Sequence, residues 1–173
     1  RPLPVMILHD VGWPYGHRDL YYEPSQIPEE FRQPYARQGL APGYYRVLET
    51  GGMNADLCNA IDGGGPRNGV RCALDDFVAE RDEDLRIVHL PFYFGLAIVV
   101  DARVLQAKPA LGELLDRLET PEGKDRLLRL SERIRLDGVV HTHNVQALLR
   151  DQITRNRDRW LGVLKAALLD EHY

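Results

Sequence analysis

An imidazole and a carboxylate stand side by side at His9-Asp10, directly after the apolar run Val5-Met6-Ile7-Leu8. The two residue types suit acid–base work. A histidine takes or gives a proton near neutral pH. A carboxylate orients a substrate hydroxyl or holds a divalent cation. A blander reading stands beside this one: Asp10 caps the following loop, and His9 is a partly buried imidazole with its hydrogen bonds met. Successive residues of a strand point to opposite faces, so only one of the pair is expected to meet a given ligand.

Further candidates follow. The loop after Asp10 carries Trp13 and Tyr15, then His17-Arg18-Asp19 and Tyr21-Tyr22. A charged, aromatic loop above a strand end suits a polar organic substrate, and Trp13, Tyr15, Asp19 and Tyr22 are the expected contacts. Pairing of Arg18 with Asp19 inside the loop is the alternative. Gly63-Gly64-Gly65-Pro66-Arg67-Asn68 opens a helix. Open N–H groups there, with Arg67 and Asn68 beside them, suit a carboxylate or phosphate. A glycine turn with positive φ and Asn68 as cap suits the same residues. His141-x-His143 has the look of a metal pair, but its spacing suits a strand, and no carboxylate cluster adjoins it. A polar turn capped by Thr142 or Asn144 is the competing reading.

The elements that must position these groups can be read in order. Residues 4–10 are a buried strand, bounded by Pro2 and Pro4. Residues 11–65 form an unusually long insertion, rich in aromatics and proline. Disordered segments are poor in aromatics, so this one is expected to be ordered, with short helical turns near 28–37 and 53–61. A helix is predicted over 66–80, with Val70, Ala73, Leu74, Phe77 and Val78 on one face. Strands at 85–90 and 95–101, joined by Pro91-Phe92-Tyr93-Phe94-Gly95, form an antiparallel hairpin. Helices follow over 110–119 and, after the cap Thr120-Pro121, over 120–135. Asp137-Gly138 reads as a break before a last helix over 145–170. Its apolar stripe is Val145, Leu148, Leu149, Ile153, Trp160, Leu164, Ala167 and Leu168. Its middle, Arg155 to Arg159, is too polar for full burial, which makes it a dimer helix or a cover over the sheet.

Composition narrows the classes. With 173 residues, 44% hydrophobic and 28% charged, the chain fits one globular domain with a core. A net charge of -4 without a basic stripe argues against nucleic acid. No apolar run reaches membrane-spanning length, and no secretory signal is present. Two cysteines without CxxC spacing, Cys58 and Cys72, make a reducing, cytoplasmic setting the default. The chain opens on Arg1 and enters a buried strand at once, which reads as part of a longer protein.

Ile7-Leu8-His9-Asp10-Val11-Gly12-Trp13-Pro14-Tyr15-Gly16, with Arg18-Asp19-Leu20-Tyr21-Tyr22 and Gly64-Gly65-Pro66-Arg67-Asn68-Gly69-Val70, resembles a bacterial branch of the class I S-adenosylmethionine-dependent methyltransferases. The likeness covers about residues 4–104. It implies an α/β fold: part of a Rossmann-like sheet, strands five to seven with an antiparallel hairpin, interrupted by the insertion at 11–65. A helical extension then occupies 105–173. The implied activity is O-methyl transfer to a small polar metabolite or sugar-like group. His9 and Asp10 would be catalytic, with Asp10 also the metal position. The family holds its methyl donor on its first two strands, which this sequence does not contain. S-adenosylmethionine is therefore expected only if that part is supplied. Two alternatives are a cofactor-free relative working by acid–base chemistry and a binding or assembly subunit. A homo-oligomer is one expected partnership, and the cofactor-binding half is another. Without a neighbouring strand, residues 5–8 would present an open edge, so that edge is expected to be covered by another chain, by residues outside this sequence, or by the insertion.

Overall fold

A computed structural model describes residues 2–169. It is a mixed α/β structure with two small antiparallel sheets and C-terminal helices. The contacts divide the chain into two units, Arg1–Asp125 and Arg126–Tyr173.

The first sheet holds the strand that opens the chain. Strand β1 (Met6–His9) pairs antiparallel with β6 (Leu96–Asp101), and β6 pairs antiparallel with β5 (Leu85–Leu90), giving the order β1-β6-β5. The register sets Met6 against Val99 and Leu8 against Ala97. Helix α1 (Val70–Ala79) covers that face. Val11, Leu74, Ala97 and Val99 make the buried cluster, and Met6, Leu8, Val70, Val78, Leu85 and Ile87 pack against it. On the other face Arg86 reaches Asp116 and Glu119 at 2.7 and 2.6 Å. Those carboxylates place α3 (Pro109–Glu119) over β5, where Val88, Val100 and Leu115 are buried. Helices α2 (Ala102–Ala107) and α3 thus fall in the first unit, and most of α4 (Pro121–Leu169) in the second.

No residue of β1 is fully buried. Met6 and Leu8 face the core, whereas Ile7 is 66% exposed. The uninterrupted apolar run hides an ordinary alternation of faces. Beyond β6, no described residue pairs with β1. The insertion does not cover that edge, because its strands are spent on a sheet of their own: β2 (Leu20–Tyr21), β4 (Cys58–Ala60) and β3 (Tyr35–Arg37), in that order. Three 3-10 turns, Tyr15–His17, Pro24–Gln26 and Glu29–Phe31, complete it. The insertion is ordered, as its aromatics imply. The turn predicted near 28–37 is there, and near 53–61 a single turn, with Leu57 N donating to the Asn54 carbonyl at 3.1 Å, precedes strand β4.

Asp101 closes β6 and starts α2. Its Oδ1 accepts the Arg103 N–H at 2.8 Å, and its Oδ2 accepts the Leu3 N–H at 3.1 Å. The Arg103 guanidinium, and then these N–H groups, hold the carboxyl well below the usual carboxylate range. Thr120 caps α4 as predicted, accepting the Gly123 N–H at 3.0 Å.

The break expected at Asp137-Gly138 does not occur: α4 runs unbroken for 49 residues. The polar residues that look like caps turn back on the helix itself. Thr142 donates to the Gly138 carbonyl at 2.9 Å, one turn earlier. His141 and His143 therefore lie on a helix, about 200° apart around its axis, and cannot share a metal ion. The predicted end at Asp170, and the side chains of Ala167 and Leu168, lie outside the described residues. No helix among the described residues is long and apolar enough to cross a membrane.

Candidate functional site

Strand β1 stops at His9 because Asp10 takes a left-handed conformation, φ 64°. Aspartate tolerates that region better than most side chains. The turn cancels the strand's alternation, so the neighbouring side chains meet instead of diverging. His9 Nδ1 stands 3.2 Å from Asp10 Oδ1. The two side chains therefore do not point to opposite faces, as the alternation of a strand would set them. Both are accessible, at 49% and 32% of their side chains. The contact is made by Nδ1 and not by Nε2.

The hairpin turn between β5 and β6 supplies the walls. The Tyr93 and Phe94 rings lie 6.4 and 6.3 Å from the His9 ring, the latter edge-on. Both residues have positive φ, 54° and 64°. Left-handed residues of this kind cost free energy and gather at functional sites. Gly12 and Gly95 lock the two turns together. Gly12 N donates to the Phe94 carbonyl at 2.7 Å, and Val11 N to that of Gly95 at 3.3 Å. A Cβ on Gly95 would strike the Gly12 backbone.

The predicted substrate contacts separate into two groups. Trp13, Tyr22 and Arg67 are exposed and open to a ligand. Tyr15 is buried, with its hydroxyl donating to Asn59 Oδ1 at 3.2 Å and accepting from Asn54 Nδ2 at 2.6 Å. Burial raises its pKa, and the charges of Asp10 and Tyr22 push the same way. It thus shares a neighbourhood with both, as support rather than contact.

Asp19 and Asn68 are absorbed by the scaffold. Asp19 accepts from Gly69 N and from the Tyr21 hydroxyl, each at 2.8 Å. Asn68 accepts the Asp19 N–H at 2.7 Å and donates to the Gly64 and Asp62 carbonyls at 2.7 and 3.0 Å. The anion expected before α1 is therefore the chain's own Asp19 carboxylate. Arg18 does not pair with Asp19. It is 5% exposed and donates to the carbonyls of Ala60, Ile61 and Tyr45, and burial lowers its pKa. The glycine run follows strand β4. Two of its amides are spent internally, Gly63 N on the Tyr45 carbonyl and Gly64 N on that of His17.

Sequence reasoning missed one close pair. His17 Nδ1 lies 3.4 Å from the sulfur of Cys72, on the first turn of α1. Their separation of 55 positions in the sequence hides it. It also left Tyr93 and Phe94 as turn residues, although two aromatics before a glycine signalled more than a turn. Among the described residues no three His, Cys, Asp or Glu side chains group to hold a metal ion, so Asp10 has only His9 beside it. Two cavities, of about 580 Å³ beside Asp101 and Arg103 and about 470 Å³ beside Arg32 and Tyr35, both exclude His9 and Asp10. The candidate site is an open, aromatic-walled surface. Compared with known proteins, the chain matches no family model, no curated protein and no solved structure.

Proposed function

We propose that this chain provides the acceptor side of a methyltransferase-like enzyme acting on a small polar metabolite or sugar-like hydroxyl. The observation that carries the reading is the His9–Asp10 pair, 3.2 Å apart at the carboxyl end of β1 and walled by Tyr93 and Phe94. The order of elements supports it too. A strand, a helix and an antiparallel hairpin follow one another, as the resemblance implies for a partial Rossmann-like sheet, and the hairpin's second strand lies beside the first strand. In this reading Asp10 fixes the imidazole tautomer through Nδ1, and His9 Nε2 removes the hydroxyl proton. The aromatic rings hold the substrate's apolar face. S-adenosylmethionine is held by residues other than these. A divalent cation at Asp10 would need ligands from the substrate or from elsewhere.

Calorimetry of the intact gene product with S-adenosylmethionine tests the proposal. Saturable binding, with turnover lost in Asp10→Asn, is the expected result. Absence of binding overturns it.

The same pair carries a second reading, a donor-independent enzyme working by acid–base chemistry. Turnover without S-adenosylmethionine that disappears in His9→Gln would favour it.

A further inference from the structure

The pair formed by His17 and Cys72 takes no part in the chemistry proposed at His9 and Asp10. Cys72 is the third residue of α1, and its sulfur lies 3.4 Å from His17 Nδ1 and 3.6 Å from the Gly65 carbonyl. A thiol carries one hydrogen, so it donates to one of these two acceptors at a time. The scaffold sets the spacing. Gly64 N donates to the His17 carbonyl at 2.6 Å, which ties the glycine run to the turn that carries the imidazole. Gly69 brings the start of α1 so close to that turn that an added Cβ would strike the carbonyls of Gly16 and Tyr15. Charged neighbours have partners of their own. Arg71 reaches Asp75 at 2.8 Å and His89 at 3.4 Å, and Asp19 accepts from Gly69 N.

We infer that Cys72 is a nucleophilic thiol that forms a mixed disulfide with a small disulfide, and that His17 is its base. A nucleophile and a base within hydrogen-bond reach mark an activated thiol. The first turn of a helix adds open amide N–H groups that favour a thiolate, and the Gly69 cap has no side chain to fill them. Cys72 is partly exposed and His17 is exposed, so a small ligand reaches the sulfur from solvent. Exchange needs an approach along the disulfide axis and a place for the proton. Nδ1 takes the thiol proton, and Sγ attacks one sulfur of the ligand. A new S–S bond forms as the old one breaks. The leaving thiolate takes the proton back from Nδ1 and departs as a thiol. Cys72 is thereby oxidised and half of the ligand reduced. Cys58 is buried in β4, which keeps it from attacking the product, so the mixed disulfide persists.

Reaction of the full chain with oxidised glutathione at pH 7 tests this. The rate is read as the mass gain of the peptide carrying Cys72, after unreacted thiol has been alkylated. That peptide should react about 10-fold faster in the native chain than in the same chain unfolded by urea. His17→Gln should lose the advantage while keeping the circular dichroism of the wild type. A thiol that is merely exposed reacts no faster folded than unfolded. A native rate at or below the unfolded rate therefore overturns the inference, as does an unchanged rate in folded His17→Gln. Should His17→Gln fail to fold, the ratio of native to unfolded rates in the wild type decides alone.

Discussion

The Asp19 carboxylate accepts the backbone N–H of Gly69 at 2.8 Å, across fifty residues of sequence. With its other oxygen on the Tyr21 hydroxyl, it ties the insertion to the start of α1. Hydrogen bonds to an ionised group contribute more than neutral ones. Asp19→Ala should therefore lower stability by about 2–3 kcal/mol, measured by urea unfolding. Asp19→Asn should lose less, because it keeps an acceptor. Equal, negligible losses in both would show that the insertion is held elsewhere.

Asp10 offers a way to separate the site from the scaffold. Its φ of 64° suits glycine and penalises a β-branched residue. Asp10→Val should cost about 1–2 kcal/mol, whereas Asp10→Gly should keep the melting temperature while removing the partner of His9. If the proposed chemistry is correct, turnover falls about 100-fold in the glycine variant. An unchanged rate in that folded protein removes Asp10 from the mechanism.

The Tyr21 phenol is pushed up to about 12, chiefly by burial. Its folded value lies above the ordinary value of 10. It therefore contributes stability that is fully present below pH 10 and is lost as pH rises towards 12. Thermal melts between pH 9 and 12 should show that decline, smaller in Tyr21→Phe. Tyr15 shifts in the same direction and should leave a residual slope.

The two cysteines differ in access. Cys58 is buried in β4, while Cys72 is partly exposed beside His17. A thiol reagent such as dithiobisnitrobenzoate should titrate one group in the native protein and two after denaturation. Cys72→Ser should abolish the native reaction. Rapid native labelling of Cys58 would contradict the packing of β4.

The chain's regular elements announce themselves where burial imposes a period. Leu85–Leu90 is predicted to the residue, and Val70, Leu74 and Val78 mark the buried face of α1 at helical spacing. The helix starts at Val70 rather than Pro66, because Asn68 holds the intervening turn through its side chain. The strands of the insertion are two or three residues long, too short to show alternation. In α4 a run of good helix formers outweighs one Gly138, whose cost is about 1 kcal/mol, so the apparent stop signal is overridden. At the candidate site the adjacent imidazole and carboxylate of His9 and Asp10 are legible, whereas the part of Tyr93 and Phe94 and the geometry of the pair are not. The chain's local rule sets His9 and Asp10 apart, and one positive φ reverses it. The burial of Arg18 and the internal bonding of Asp19 depend on carbonyls and amides up to fifty residues away, which no local pattern records.

The glycine contact behind the site has a kinetic consequence. Gly12 N–H is bonded to Phe94 O at 2.7 Å, and no side chain can enter between Gly12 and Gly95. The strand end carrying His9 and the hairpin turn carrying its aromatic walls therefore move together while that bond holds. The solvent exchange of that one amide is a clock for their separation, slow while imidazole and rings keep their spacing and fast when the two turns part.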